Sequence, residues 1–376
     1  MTSETTFEAN TDTLFTPFKA GSLELNHRVV MAPLTRARTA SDRVPTDLMR
    51  EYYKQRSSAA MIISEATIIS PTGAGYAFTP GIYNQAQIDG WKNITEAVQA
   101  DGAKMISQLW HCGRISHPDL QPEGATPVAP SASIPGEASG QAFTEKGWQP
   151  FVEPRALTEE DIKDLIADFR QAALNAKAAG FDGVEIHSAN GYLLNQFLSD
   201  DVNKRTDKYG GSIENRARLL FEVLDAVSEI WPLDKIGVRL SPWNTFLEAT
   251  LSDNGPLYKY VITKLNEKNI AYLSVVELAN DDDKRPTDKP DLPESINAFV
   301  RQYFKGPILT AGGFQAENGA AEIALGNADM IAYGQPYIAN PDLVARFKAG
   351  ADLNIPDLDT FYGGDAKGYT DYPFLK

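Results

Sequence analysis

Seven side chains at the ends of predicted strands, or in the loops that follow them, carry groups able to take part in chemistry. They are a hydroxyl, two carboxamides, an indole, an imidazole, a phenol and a guanidinium: Thr35, Gln108, Trp110, His187, Asn190, Tyr192 and Arg239. Each alone also has a structural interpretation, such as a turn cap for Thr35 or a core histidine for His187. Their joint placement on one face of a barrel is much harder to obtain by chance, so we treat them as one candidate site.

The single cysteine limits the redox chemistry that the protein can perform by itself. Cys112 is the only cysteine among 376 residues. One thiol cannot form an internal disulfide, a thiolate zinc cage or an iron-sulfur cluster. We therefore expect any redox activity to depend on a bound organic cofactor, and the sequence predicts no metal site.

The charge balance argues against polyanionic partners. There are 50 Asp and Glu residues against 35 Lys and Arg residues, which gives a formal net charge of -15 at pH 7. Such a surface repels phosphate backbones and anionic lipid headgroups, so we expect neither nucleic acid nor a membrane as partner. The first residues lack a signal-peptide pattern, and no stretch approaches the roughly 18 apolar residues of a spanning helix. We expect a cytoplasmic protein.

Short runs rich in β-branched residues alternate with amphipathic stretches along the chain, a pattern that favours a parallel sheet covered by helices. The predicted strands are residues 29–33, 61–67, 104–110, 183–187, 236–241, 271–276, 307–311 and 330–333. Eight strands with intervening helices fit an α/β fold of the closed (β/α)8, or TIM barrel, type. The main alternative, a doubly wound sheet, usually has a glycine-rich first turn, whereas the turn here reads APLTRART.

Two helices and the strands after them show how the site is positioned. Thr158 is a predicted N-cap, with acidic residues in the first turn, apolar residues at helical spacing and Gly180 at the C-terminal cap. The next strand ends on His187. A second helix begins after Ser212 and leads into a strand that places Arg239 near its carboxyl end. In a barrel these carboxyl ends converge on one face, where catalysis takes place in this fold.

We expect a single domain over residues 1–376, because no linker is long enough to separate two domains. Residues 1–28 should form an amino-terminal segment and a hairpin that closes the other end of the barrel. Residues 111–157 form a long excursion containing proline and glycine, and residues 279–291 form a highly charged loop. Both are either solvated loops or parts of a lid over the catalytic face.

The sharpest motif is the segment EIHSANGYLLNQFLSDDVNKRTDKYGGSIENRAR at residues 185–218. It resembles the signature of the Old Yellow Enzyme family of FMN-dependent ene reductases. In that family the substrate site is formed by a His at a strand end, an Asn or His three residues later and a Tyr two residues after that. This sequence has His187, Asn190 and Tyr192 at the same spacing. The resemblance extends over nearly the whole chain. Further matching segments are residues 26–38, 64–84, 108–118, 333–347 and 361–373.

The resemblance implies catalytic roles for these three residues. His187 and Asn190 would donate hydrogen bonds to the carbonyl or nitro oxygen of the substrate, stabilising negative charge that grows as hydride reaches the β-carbon. Tyr192 would protonate the α-carbon, because a phenol with a pKa near ~10 stays protonated at neutral pH yet can protonate a strongly basic carbon. The implied reaction passes hydride from NADPH or NADH through FMN to an activated C=C bond. Nitrate esters and quinones are further implied acceptors.

The resemblance also implies a noncovalent FMN site. The Thr35 hydroxyl would lie near the flavin C4 carbonyl, Gln108 on the pyrimidine edge, and Arg239 beside N1 and the C2 carbonyl, where a cation stabilises the anionic reduced ring. Thr35 is typical of one branch of the family, whereas another branch carries Cys there. The implied cofactor set is Pro33, Leu34, Thr35, Ala66, Gln108, Arg239, Gly312, Gly313, Gly334 and Gln335. The implied walls of the substrate pocket are Tyr76, Trp110 and Tyr362.

One position departs from the family pattern. Barrels commonly hold a phosphate with the loops after strands seven and eight, here TAGGF with Gly312 and Gly313, and YGQP with Gly334 and Gln335. The family usually has Gly-Arg in the second loop. Without that guanidinium the phosphate loses a charge-assisted interaction of about 1.5–3 kcal/mol, so we expect weakened FMN binding.

Two other classes of function stay open on the sequence alone. Gln335 admits an FMN-poor descendant that binds small molecules without catalysis, and a colourless purified protein would indicate it. A metal- or Schiff-base-dependent barrel lyase has less support, because no lysine ends a predicted strand and the four histidines do not cluster with carboxylates. The expected partners are small electrophilic alkenes, and a monomer and a homodimer both fit the sequence.

Overall fold

The structure is a computed structural model that describes residues 10–278 and 291–376. Its centre is a closed barrel of parallel strands, in which each strand pairs with the next and the eighth pairs with the first. This confirms the predicted barrel and rules out the doubly wound sheet. The barrel strands are β1 (Val29–Met31), β2 (Met61–Ile63), β3 (Lys104–Trp110), β4 (Gly183–Ser188), β5 (Ile236–Leu240), β6 (Tyr272–Val276), β7 (Ile308–Ala311) and β8 (Met330–Tyr333).

Helices surround the barrel, and their apolar faces form one continuous core with the outward side chains of the strands. No helix in the described parts of the chain is long and apolar enough to cross a membrane. The helices are α1 (Asp47–Gln55), α2 (Gln85–Gln99), α3 (Glu159–Ala178), α4 (Leu193–Leu198), α5 (Ile213–Ser228), α6 (Asn254–Lys268), α7 (Ile296–Tyr303), α8 (Ala316–Ala324), α9 (Gln335–Ala339) and α10 (Leu343–Ala349).

Two strands end two or more residues before their predicted ends, and both differences have a local cause. β1 ends at Met31 rather than at residue 33, because Pro33 has no N–H to continue the ladder. The predicted strand 61–67 is interrupted after Ile63 and resumes as Thr67–Ile68. Between the two parts, the chain turns so that the Glu65 carboxylate accepts backbone N–H groups from the loop after β1. Both differences lie on the carboxyl-terminal face, where the candidate site is.

A β-hairpin covers the opposite end of the barrel, as predicted. Strands Phe18–Ala20 and Leu23–Leu25 pair antiparallel, and their buried side chains join the residues that line the barrel interior, Met61 among them. At the tip, the Ser22 N–H donates to the Asp234 carbonyl, 3.0 Å away, just before β5. The amino-terminal end of the barrel is therefore closed, which leaves the carboxyl-terminal face for a ligand.

The long excursion after β3 contains secondary structure of its own. Its hairpin lies against the segment after β2, where the Ala77 N–H donates to the Phe143 carbonyl at 2.9 Å. The excursion therefore packs on the carboxyl-terminal side of the barrel. Of the charged loop after β6, predicted at residues 279–291, residues 279–290 lie outside the described part of the chain. The short strands of the excursion are Val128–Ala129, Ala142–Thr144, Gly147–Gln149 and Arg155–Ala156.

The predicted N-cap of α3 is a complete capping box. The Thr158 hydroxyl accepts the Asp161 N–H at 3.1 Å, and the Asp161 carboxylate accepts the Thr158 N–H at 2.7 Å. Asp161 also pairs with Arg155, and this hydrogen-bonded ion pair lowers the pKa of the Asp161 carboxyl. The cap fixes where α3 begins, and α3 leads directly into β4 and its site residues.

We expect Thr158→Ala to lower the free energy of unfolding by about 1 kcal/mol, because the orphan N–H groups at the start of α3 lose their acceptor. Thr158→Ser keeps the hydroxyl and should stay close to wild type. Chemical denaturation of the three proteins measures the difference. If alanine and serine have the same effect, the capping box does not stabilise α3.

Candidate active site

A cavity of about 830 Å³ lies at the carboxyl ends of five barrel strands: β1, β5, β6, β7 and β8. Its size falls within the range of about 300–1,000 Å³ that is usual for small-molecule and cofactor sites. Seven of the ten predicted cofactor residues line it. These are Pro33, Leu34, Arg239, Gly312, Gly313, Gly334 and Gln335.

The other predicted residues do not line this cavity. His187 on β4 and Arg239 on β5 are direct partners in the parallel ladder, so the histidine adjoins the cavity wall at Arg239. Gln108 and Ala66 are buried and Thr35 is half-buried. Tyr362 is 67% exposed.

Arg239 is a buried cation without a full set of hydrogen-bond acceptors. It is 8% exposed, and neither Nε nor Nη1 finds an acceptor among the described residues. Burying an unsatisfied charged donor is costly, so the arrangement favours a ligand that brings acceptor atoms to this point. The electron-rich N1 and C2 carbonyl edge of a flavin has that chemistry, and the residues therefore fit FMN.

Glu185, which the sequence analysis gave no role, links Arg239 to Gln108. The Gln108 amide Nε2 donates to Glu185 Oε1 at 2.7 Å, which fixes the direction of the carboxamide. Burial raises the pKa of the Glu185 carboxyl, and the positive charge of Arg239 opposes that rise. A signal was present in the sequence, since Glu185 precedes His187 by two positions and so shares its face of the strand.

Tyr192 contacts His187 and connects it to two further aromatic side chains, Tyr76 and Trp110. The Tyr192 hydroxyl lies 3.2 Å from the Tyr76 hydroxyl, within hydrogen-bonding distance. The Tyr192 ring meets Trp110 edge-on at 4.9 Å between centroids and His187 at 5.3 Å, while Tyr76 stacks on Trp110 at 5.7 Å. The structure thus brings together four residues that the sequence placed on three separate segments.

The protonation states within this cluster are set mainly by burial. Burial raises the pKa of Tyr192 well above its ordinary value, and the pKa of Tyr76 also rises, so both phenols keep their protons. Burial and the charge of Arg239 lower the pKa of His187, which is therefore a neutral imidazole at pH 7. Its Nδ1 has no protein partner within the described ranges. The cluster therefore offers only neutral hydrogen-bonding groups, two of which are protonated phenols.

Asn190 is held in a left-handed backbone conformation, with φ of 57°. Its N–H donates to the Ser241 hydroxyl at 2.7 Å, and its Oδ1 accepts from Asn244 Nδ2 at 3.2 Å. Neither Ser241 nor Asn244 was recognised from the sequence. Both act across two loops, and no local pattern marks such a contact.

Glu65 holds the loop that carries Thr35. Its Oε2 accepts the N–H groups of Arg36 and Ala37 at 3.2 and 3.3 Å, and its own N–H donates to the Tyr53 hydroxyl at 2.8 Å. Burial raises the pKa of the Glu65 carboxyl to about 7, although those N–H groups favour the ionised form. Sequence analysis missed this residue because it lies within a predicted strand.

The loops after β7 and β8 line one part of the cavity, which we call its far end. The backbone there is closely packed and charges are few. A Cβ at Gly312, whose φ is 145°, would lie 2.2 Å from the Glu277 carbonyl oxygen, so only glycine allows this approach. Gln335 lines the same end and is exposed. Of the described lining residues, Arg239 and Glu277 are the charged ones.

Comparisons with known proteins show which family the chain is similar to. A family model described as the NADH:flavin oxidoreductase / NADH oxidase family matches residues 13–354. 12-oxophytodienoate reductase 1 of Oryza sativa subsp. japonica is 45% identical over 369 residues, which span 96% of this chain and 93% of that protein. Morphinone reductase in complex with tetrahydroNAD superimposes with a TM-score of 0.89 at 47% identity, covering 96% and 98% of the two chains. The Old Yellow Enzyme homologue from Zymomonas mobilis superimposes with a TM-score of 0.91 at 41% identity, covering 96% of this chain and 100% of that chain.

The fold, the cavity and the family match define a flavin oxidoreductase on a (β/α)8 barrel. Within that class, the chain belongs to the Old Yellow Enzyme family. It is an NAD(P)H-dependent enzyme with FMN as its cofactor, which confirms the family, the fold and the cofactor expected from the sequence. A noncatalytic binding protein and a barrel lyase are no longer tenable.

Glu65 should make stability depend on pH. Its folded-state pKa of about 7 lies above the ordinary 4.5, so the folded protein holds this proton more tightly than the unfolded chain. The contribution of Glu65 to stability therefore falls as pH rises from 4.5 to about 7, and stays constant above that.

Glu65→Gln removes this titration and keeps an oxygen acceptor for the loop. We expect the melting temperature of the variant, relative to wild type, to increase as pH rises through that window. Glu51→Gln, on the exposed side of α1, controls for the loss of one negative charge. A constant difference between Glu65→Gln and wild type would mean that Glu65 titrates outside this range.

Proposed function

We propose that the enzyme reduces the C=C bond of α,β-unsaturated carbonyl and nitro compounds. The observation that carries the proposal is the contact between a neutral imidazole, His187, and a protonated phenol, Tyr192, with Asn190 on the adjoining loop. Bound FMN, once reduced by a nicotinamide, supplies the hydride. The relatives named as reductases of 12-oxophytodienoate and morphinone support a small organic acceptor.

His187 and Asn190 would bind the oxygen that activates the alkene. A neutral imidazole keeps one N–H to donate, and the Asn190 amide has two. Donors fixed in a buried site stabilise negative charge on that oxygen more strongly than water does, because they need not reorganise. Carbonyl and nitro oxygens both accept such hydrogen bonds, so this arrangement supports both substrate classes.

Tyr192 would protonate the α-carbon. Its raised pKa keeps the proton in place until a strongly basic carbon is formed. The Tyr76 hydroxyl, 3.2 Å away, can donate a hydrogen bond to the Tyr192 oxygen as the proton leaves. Tyr76 would thereby stabilise the phenolate, and Trp110 holds both rings in place.

The remaining predicted residues would bind FMN in two groups. Thr35, Gln108 and Arg239 would contact the ring, with Ala66 and the backbone of Pro33 and Leu34 against its face. The phosphate end of the cofactor would lie at the far end of the cavity, and the residues proposed there are Gly312, Gly313, Gly334 and Gln335. Trp110, Tyr76 and the exposed Tyr362 would border the substrate.

Tyr192→Phe should separate the two half-reactions. Reduction by NAD(P)H needs no acid at a substrate carbon, so its rate should stay within a few-fold of wild type. Reoxidation by a cyclic enone needs α-protonation, and losing a positioned general acid typically slows such a step by ~10²–10⁴-fold. Stopped-flow absorbance of the flavin measures both rates.

A nitroalkene is the internal control for Tyr192→Phe. Its reduction gives a stabilised nitronate that can leave unprotonated, so the variant should still consume nitroalkenes and release nitronate. Equal slowing of reduction and enone reoxidation would make Tyr192 a structural residue. An unchanged enone rate would assign the proton to another donor.

Gln335→Arg should tighten FMN binding. A restored charge-assisted contact of about 1.5–3 kcal/mol corresponds to a dissociation constant roughly 10- to 100-fold lower. We expect wild-type protein to purify with less than one FMN per chain. Gln335→Met, of similar length and without charge, should bind FMN as wild type does. Fluorescence titration of apoprotein measures all three, and equal affinity of wild type and Gln335→Arg would contradict the phosphate assignment.

A further inference from the structure

The loop after β5 contacts Asn190 through a chain of two hydrogen bonds. The backbone N–H of Phe246 donates to Asn244 Oδ1 at 2.8 Å, and Asn244 Nδ2 donates to Asn190 Oδ1 at 3.2 Å. Asn244 also lines the large cavity, so this chain ends beside the ligand site.

The direction of this chain is fixed by its first member. A backbone N–H can only donate, so the Asn244 side chain must turn its oxygen toward Phe246 and its NH2 group toward Asn190. An NH2 group can only donate in turn, which selects the Asn190 orientation with Oδ1 toward Asn244. The Asn190 NH2 group is then directed away from Asn244 and free to donate elsewhere.

The two loops are built to stay in contact. Gly191 has φ of 79°, and a Cβ there would lie 2.7 Å from both the Phe246 carbonyl oxygen and the Leu247 Cβ. Only glycine permits this approach. On the other side, Arg114 Nη2 donates to the carbonyls of Leu247 and Glu248, both at 3.0 Å.

We propose that Asn244 is a positioning residue that fixes the Asn190 amide with its NH2 group toward the substrate oxygen. The inference rests on the proposed function, in which Asn190 donates to that oxygen. Without Asn244 the amide can rotate by a half turn, because its two ends have nearly the same size. The rotated amide would present an oxygen to the substrate oxygen. Asn244 would thereby select substrates whose activating group accepts hydrogen bonds.

The test uses FMN-loaded enzyme and cyclohexanone, a neutral carbonyl ligand that lacks the reducible C=C bond. Perturbation of the flavin absorbance gives its dissociation constant. In Asn244→Asp, the carboxylate still accepts the Phe246 N–H but cannot donate to Asn190, so the Asn190 amide should rotate. We expect affinity about tenfold or more below wild type, because a donor is replaced by an unpaired acceptor. Asn244→Leu only frees the amide and should weaken affinity less.

A merely structural role predicts the reverse order. Asn244→Asp is nearly isosteric and keeps the oxygen that accepts the Phe246 N–H, whereas Asn244→Leu loses this hydrogen bond. Melting temperature and FMN content show whether each variant is folded, and either variant alone can contradict the proposal. Wild-type affinity in Asn244→Asp, or a larger loss in Asn244→Leu, would overturn it.

An Asn190→Ala background separates this positioning role from a direct effect of the added charge and from the proposed function. In that background, Asn244→Asp should cause no further loss, because Asn244 acts through Asn190. A direct effect of the charge on the ketone would persist without Asn190. Additive losses would therefore overturn the positioning role alone. If Asn190→Ala itself binds the ketone normally, the proposed substrate clamp fails instead.

Discussion

A buried guanidinium inside the barrel constrains the rest of the site. Arg239 cannot lose its proton in any ordinary environment, so the surrounding residues must compensate its charge. The Glu185 carboxyl on the neighbouring strand interacts electrostatically with that charge, and its Oε1 accepts the Gln108 amide, which fixes the direction of the Gln108 carboxamide. The same positive charge helps to keep His187 neutral. We propose that the edge of the flavin ring meets the remaining unpaired donors of Arg239.

Around Arg239, Glu185 and Gln108, the loops at the carboxyl ends of the strands are held in place by polar side chains that hydrogen-bond to backbone groups. Glu65 holds the loop after β1 by two N–H groups, and Arg114 holds the loop after β5 by two carbonyls. Loops supply most functional groups in barrel enzymes, and their precision depends on such supports. In this protein each support belongs to one strand or loop and positions residues of another.

The sequence predicted the parts of the site that follow from strand periodicity and from family motifs. β3 and β8 have their predicted bounds, and His187 and Arg239 lie at predicted strand ends. Glu65 and Asn244 could not be predicted in the same way. The first breaks a run whose composition favours a strand, and the second acts on a residue 54 positions away. Such contacts depend on how two loops meet, which no local pattern contains.

The cavity is electrostatically uneven, and this affects how a cofactor would be held. Where we propose that the flavin ring lies, Arg239 is buried, and two of its nitrogen atoms have no protein acceptor among the described residues. At the far end, the described wall contains glycine backbone, an exposed Gln335 and the acidic Glu277, whose carboxylate instead accepts N–H groups at the start of α7. A ligand with a phosphate tail would therefore gain most of its electrostatic stabilisation at the ring. Hydride transfer requires an oriented ring, and the residues that we propose to orient it, Gln108 and Arg239, are different from those that we propose to hold the tail.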